Sequence, residues 1–73
     1  MKYVLAVFMS RRDAMAFGQA LSQVGVRAWA VNTPASLVAG CSLSVKFPQA
    51  AIERAQRVLA RGDYQSFRGF YAV

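Results

Sequence analysis

The uninterrupted apolar run Tyr3 to Met9 (YVLAVFM) constrains the fold of this chain more than any other stretch. Its length and its β-branched and aromatic members fit a strand buried on both faces. Such a strand belongs in the middle of a sheet. The run is also too short for a membrane span, which takes about 20 apolar residues.

The elements that follow supply neighbours for that strand. Ser10 ends the run and can cap a helix, and Asp13 three residues on forms a capping-box-like pair. Ala14, Phe17, Leu21 and Val24 then recur at three- and four-residue steps, which predicts a helix with one apolar stripe. Gly18 interrupts it and allows close packing on a sheet, and Gly25 stands where a left-handed residue ends a helix. Val26 to Val31 (VRAWAV) reads as a second strand, with Arg27, Trp29 and Val31 on one face. Asn32-Thr33-Pro34 breaks it, and residues 35–39 can form one helical turn.

Leu43, Val45 and Phe47 alternate with Ser42, Ser44 and Lys46, which predicts a half-buried strand. Pro48 suits the first position of a second helix, because its missing N–H costs nothing there. Ile52, Ala55 and Leu59 give that helix its apolar face, and Gly62 is placed to end it. Phe67 to Val73 (FRGFYAV) reads as the last strand. The order β-α-β-β-α-β predicts an α+β fold over residues 1–73 as a single domain. It is the ferredoxin-like plait, a four-stranded antiparallel sheet with two helices on one face. The first and third strands are then central. The other face keeps aromatic groups, with Phe8, Trp29 and one of Phe70 or Tyr71 as candidates, and offers a surface for a homodimer.

Composition removes several chemistries. The chain has no His and one Cys, so no intrachain disulfide, no usual zinc set and no Cys-His or Ser-His pair can form within one subunit. Its acids, Asp13, Glu53 and Asp63, each suit a cap, a first helical turn or a turn. The glycines are scattered, so no phosphate loop is present. Turnover catalysis is therefore a weaker reading than a carrier or binding role. A free thiol suits a reducing cytoplasm. Ser10-Arg11-Arg12 lacks the following apolar region of a twin-arginine signal, so no targeting segment is read.

One chemical group remains. Cys41 sits between Gly40 and Ser42, at the junction of the Thr33-Pro34 turn with the alternating strand. A thiol acts as its thiolate, favoured by nearby positive charge or hydrogen-bond donors. Lys46 is the cation within the stretch, and Thr33, Ser36 or Ser42 can donate. By parity Cys41 lies with Leu43, Val45 and Phe47, so a buried small hydrophobe is the alternative role.

The whole chain resembles the selenium/sulfur carrier protein-like family of small bacterial domains. The resemblance runs through the first strand, Arg12-Asp13-Ala14, Leu21 and Gly25-Val26. It continues through Thr33-Pro34, Cys41 with its strand, Lys46-Phe47 and the second helix. The family pattern reads Cys-Gly at the junction, where this chain has Cys41-Ser42. The resemblance implies a ferredoxin-like plait. It also implies a carrier that holds a persulfide or selenopersulfide on Cys41 and passes it to an acceptor protein. The partners implied are sulfur or selenium donor and acceptor proteins, with no metal or organic cofactor.

The net charge of +6 supports two further readings. One is a nucleic-acid-binding plait, although Arg68-Gly69-Phe70-Tyr71 matches the ribonucleoprotein consensus poorly and falls on the last strand. The other is a dimeric regulatory or interaction module without a reactive thiol. Arg54, Arg57 and Arg61 align along the second helix, as a solvated face or as a docking strip for an acidic partner or a phosphate backbone.

Overall fold

The computed structural model describes residues 2–33 and 43–73. Strand β1 (Tyr3–Phe8) lies inside a four-stranded antiparallel sheet of order β2-β3-β1-β4, where β2 is Trp29–Asn32, β3 Leu43–Pro48 and β4 Phe67–Ala72. Helix α1 (Arg11–Gln23) joins β1 to β2, and α2 (Ile52–Arg61) follows β3. The fold is the ferredoxin-like plait. β1 is buried from Val4 to Phe8, with β3 and β4 paired along its two edges and the helices packed on the face that carries Val4, Ala6 and Phe8.

Register assigns the two faces. Val4, Ala6 and Phe8 of β1 lie beside Val45 and Phe47 of β3, and pack with Ala14, Phe17 and Leu21 of α1 and Ala55 of α2. Both helices therefore cover this one face. Phe8, expected on the opposite face, is in this core, where its ring meets Phe17, Tyr64 and Phe67. Of the pair Phe70 and Tyr71, it is Tyr71 that shares the opposite face with Leu5. Val24 does not continue the α1 stripe: it is the C-cap and stands exposed.

Helix ends account for the other departures. The Ser10 hydroxyl accepts from the Asp13 N–H at 3.4 Å, so Ser10 is the N-cap of α1. At the far end Gly25 adopts φ 82°, its N–H donates to the Ser22 carbonyl, and the Val26 N–H donates to the Leu21 carbonyl. This is a Schellman ending, in which buried Val26 and Leu21 both join the core. Val26 is thereby committed to the helix exit. β2 starts at Trp29 rather than Val26, and Arg27 lies outside it. Pro48 does not open α2: it ends β3 and precedes a short 3₁₀ turn, Gln49–Ala51, after which α2 begins.

The sheet face away from the helices carries Tyr3, Leu5 and Val7 of β1, Trp29 and Val31 of β2, Ser44 and Lys46 of β3, and Gly69 and Tyr71 of β4. Its centre is not open. Val7 and Ser44 are 0% exposed and Leu5 is 3% exposed. β3 is therefore buried on both sides at Ser44, where the alternating pattern predicts an outward polar residue.

Candidate functional site

The segment containing Cys41 is flanked by the β2–β3 pairing. Asn32 pairs with Leu43, and Val31 with Ser44. Beyond Asn32, the Thr33 hydroxyl shares a hydrogen bond with the Ser44 hydroxyl. A buried hydroxyl without a partner costs about 1–3 kcal/mol, so this pairing is what makes the burial of Ser44 tolerable. Both flanks of the segment are thus tied to the sheet, Thr33 through the Ser44 hydroxyl on the helix-free side and Leu43 through its pairing with β1 and β2 and its packing against the core. Pro34, Gly40, Cys41 and Ser42, together with the helical turn expected over 35–39, lie outside the described residues.

Lys46 stands two residues beyond Ser44 on the same face. It pairs with Trp29 on one side and Leu5 on the other. Its ammonium lies 4.9 Å from the centroid of the Tyr3 ring, and that ring meets Trp29 edge to face at 5.7 Å. A cation over an aromatic face is stabilised by the ring quadrupole, by about 0.5–1 kcal/mol at exposed sites. Sequence reasoning picked out Lys46 as a cation near the thiol but missed Tyr3 as its neighbour. The signal was available: Tyr3, Trp29 and Lys46 become neighbours once β1, β2 and β3 are put in register.

Arg54, Arg57 and Arg61 are exposed on α2, opposite buried Ala55. They belong to the helical layer, whereas Lys46 and Thr33 belong to the other side of the sheet. The fold does not bring these two groups together. Among the described residues no set of three His, Cys, Asp or Glu side chains is placed to hold a metal ion, and no helix is long and apolar enough to cross a membrane.

The comparison with family models decides the assignment. Residues 2–71 match the family described as "Putative Se/S carrier protein-like". The chain belongs to this family. The match covers every strand and helix of the plait almost to its last residue, and it includes the position of Cys41. Membership of a carrier family points to donor and acceptor partners in general terms. No curated protein matches the chain.

Proposed function

We propose that the protein carries sulfur or selenium on Cys41. The observation that carries this reading is the family match over residues 2–71 in a chain whose only thiol is Cys41. In the proposed reaction the Cys41 thiolate attacks the outer sulfur of a donor persulfide, R–S–SH. A bond forms between Cys41 and that sulfur, the inner S–S bond of the donor breaks, and the donor leaves as its thiolate. An acceptor thiolate then attacks the outer sulfur of Cys41–S–SH and releases the Cys41 thiolate. Each step exchanges one bond to the transferred sulfur for another, without an external oxidant or reductant. A selenopersulfide donor follows the same course.

Two features support the reading. Chain length alone keeps a residue two positions before Leu43 within about 7 Å of it, and Leu43 is fixed to both β1 and β2. Thr33, Gly40 and Ser42 are the proposed sources of hydrogen-bond donors and space for the thiol, whereas the Lys46 ammonium is engaged with the Tyr3 ring, towards the end of β3 away from Leu43. Arg54, Arg57 and Arg61 form an exposed cationic strip suited to an acidic donor or acceptor protein, and an acidic partner is drawn in faster at low salt. The proposed setting is the reducing cytoplasm.

The test is mass spectrometry after incubation with a cysteine desulfurase and cysteine. The expected result is one added sulfur on Cys41 that passes to a thiol acceptor, and none on Cys41→Ser. A wild-type protein that stays unmodified while the desulfurase turns over would reject the carrier role.

A further inference from the structure

The two outer edges of the sheet are built differently. β4 is interrupted: its register with β1 shifts between Val7 and Phe8, Gly69 adopts φ 134°, and Arg68 stands exposed on it. A bulge and a charge are the usual means of preventing an edge strand from pairing with another chain. β2 has neither. Its sequence, Trp-Ala-Val-Asn, contains no charge and no proline, and three of its four residues are exposed. Alternate residues of an edge strand point their N–H and C=O groups away from the sheet. Among the described residues no backbone hydrogen bond outside the sheet ladder involves β2.

A groove of ≈ 660 Å³ runs between this edge and α1, lined by Met15, Gln19 and Arg12 on the helix and by Trp29 and Ala30 on the strand. Met15 is 58% exposed on the helix side of the β2 edge, and Trp29, whose ring lies on the helix-free face beside Tyr3, is 40% exposed, so large apolar surface is left uncovered on both sides of this edge. An edge strand beside a helix, with a groove between them, suits the addition of an extended segment. The segment's backbone would pair with β2. Its alternate side chains would fall to the two sides, towards Met15 and towards the Trp29 ring.

Charge selects the occupant. Arg12 is the single charged group among the described residues lining the groove, and no acid is among them. The chain carries nine cations and three acids. A second copy would bring another +6 to the same edge, whereas an acidic segment would be attracted. We infer that the β2 edge and the α1–β2 groove form a docking site for an extended, acidic, apolar-alternating segment of a partner protein. This surface stands independently of the chemistry at Cys41.

Trp29 is the only tryptophan of the chain, so its emission reports on the site directly. The probe is a short capped peptide of alternating valine and glutamate. Saturable change in Trp29 emission is expected, with slowed amide exchange confined to Trp29–Asn32. Arg12→Glu and Met15→Glu, both at exposed positions, should each weaken binding about tenfold and leave the circular dichroism unchanged. Equal binding of the valine–lysine peptide would overturn the inference. So would the lack of a saturable change up to about millimolar peptide. Sedimentation showing a dimer whose β2 amides are protected without peptide would overturn it in favour of a second copy.

Discussion

Asp13 holds Ser66, 53 positions away in the chain, by two hydrogen bonds to one carboxylate oxygen: the Ser66 hydroxyl donates at 2.6 Å and its N–H at 3.2 Å. The Ser66 hydroxyl oxygen in turn accepts the Ser10 N–H at 3.1 Å, and the Met9 N–H donates to the Ser66 carbonyl. In a capping box the acid at the third helical position reaches back to the cap residue's own N–H. Here Ser66 is inserted into that loop. The cap of α1 thereby becomes the clasp that fixes the entry of β4 against the exit of β1.

Removing the carboxylate should therefore cost more than a surface cap. Asp13→Ala leaves the Ser66 N–H and hydroxyl without their acceptor, and hydrogen bonds to a charged group contribute about 1.5–3 kcal/mol. A loss of that size is expected in urea unfolding. Asp13→Asn retains an acceptor oxygen and should recover part of it. A change below about 0.5 kcal/mol for Asp13→Ala, within the usual range of surface substitutions, would show that the clasp is not structural.

Gly18 and Gly25 should respond to alanine with opposite signs. Gly18 lies inside α1, and an added methyl would meet the Val45 methyl carbons at 3.8 Å, an ordinary contact. Gly18→Ala then gains helix propensity and should stabilise by about 0.5–1 kcal/mol. Gly25 at φ 82° has nothing within 4 Å of an added Cβ, so its cost is conformational. Gly25→Ala should destabilise by about 1 kcal/mol, measured by the same urea midpoints at constant slope.

These glycines show how far pattern reading reaches. Gly25 ends α1 for the reason its position suggested, because left-handed geometry leaves a signature immediately after an apolar stripe. Gly62 also follows a stripe but adopts φ −95°, so backbone handedness does not require glycine there. An added methyl would sit 2.2 Å from the Tyr64 ring. The requirement is space, set by a ring that packs edge-on to Phe8 and Phe17. No spacing rule encodes that contact. The burial of Ser44 was hidden for a similar reason. Alternation assigns a residue to a face, but it does not reveal what covers that face. The strand order was legible because one doubly buried run and a single crossover rule leave few arrangements. Lys46 was picked out and its aromatic neighbour was not, since Tyr3 and Lys46 meet only once the register is known. The position of Cys41 was legible as the one thiol in the sequence, and its surroundings fall outside the described residues.

Tyr64 ties the aromatic cluster to pH. Burial of the phenol, and then the negative charge of Asp13, push its pKa above the ordinary value of 10.0. A raised folded-state pKa means that the neutral phenol is the form the fold favours. Its contribution is fully present below the unfolded pKa near 10 and is lost as pH rises through the higher folded value. Stability should therefore fall with pH above about 10. Tyr64→Phe should flatten the part of that fall that belongs to this ring. An identical slope in the two proteins between neutral and strongly alkaline pH would refute the assignment.

The Thr33–Ser44 pair predicts an asymmetry between its two members. Ser44 is fully buried and Thr33 is half-buried. Thr33→Val leaves the Ser44 hydroxyl inside the sheet face without its partner, for about 1–3 kcal/mol. Ser44→Ala removes the buried hydroxyl itself, and the Thr33 hydroxyl can then turn to water, so the cost should be smaller. The double variant has no orphaned buried hydroxyl and should be more stable than Thr33→Val alone. That ordering requires a coupling energy between the two sites, which a double-mutant cycle on urea unfolding measures. Additive single effects would mean that Ser44 obtains its hydrogen bond elsewhere. Thr33 would then not be what fixes the β2 flank of the Cys41 segment to the sheet.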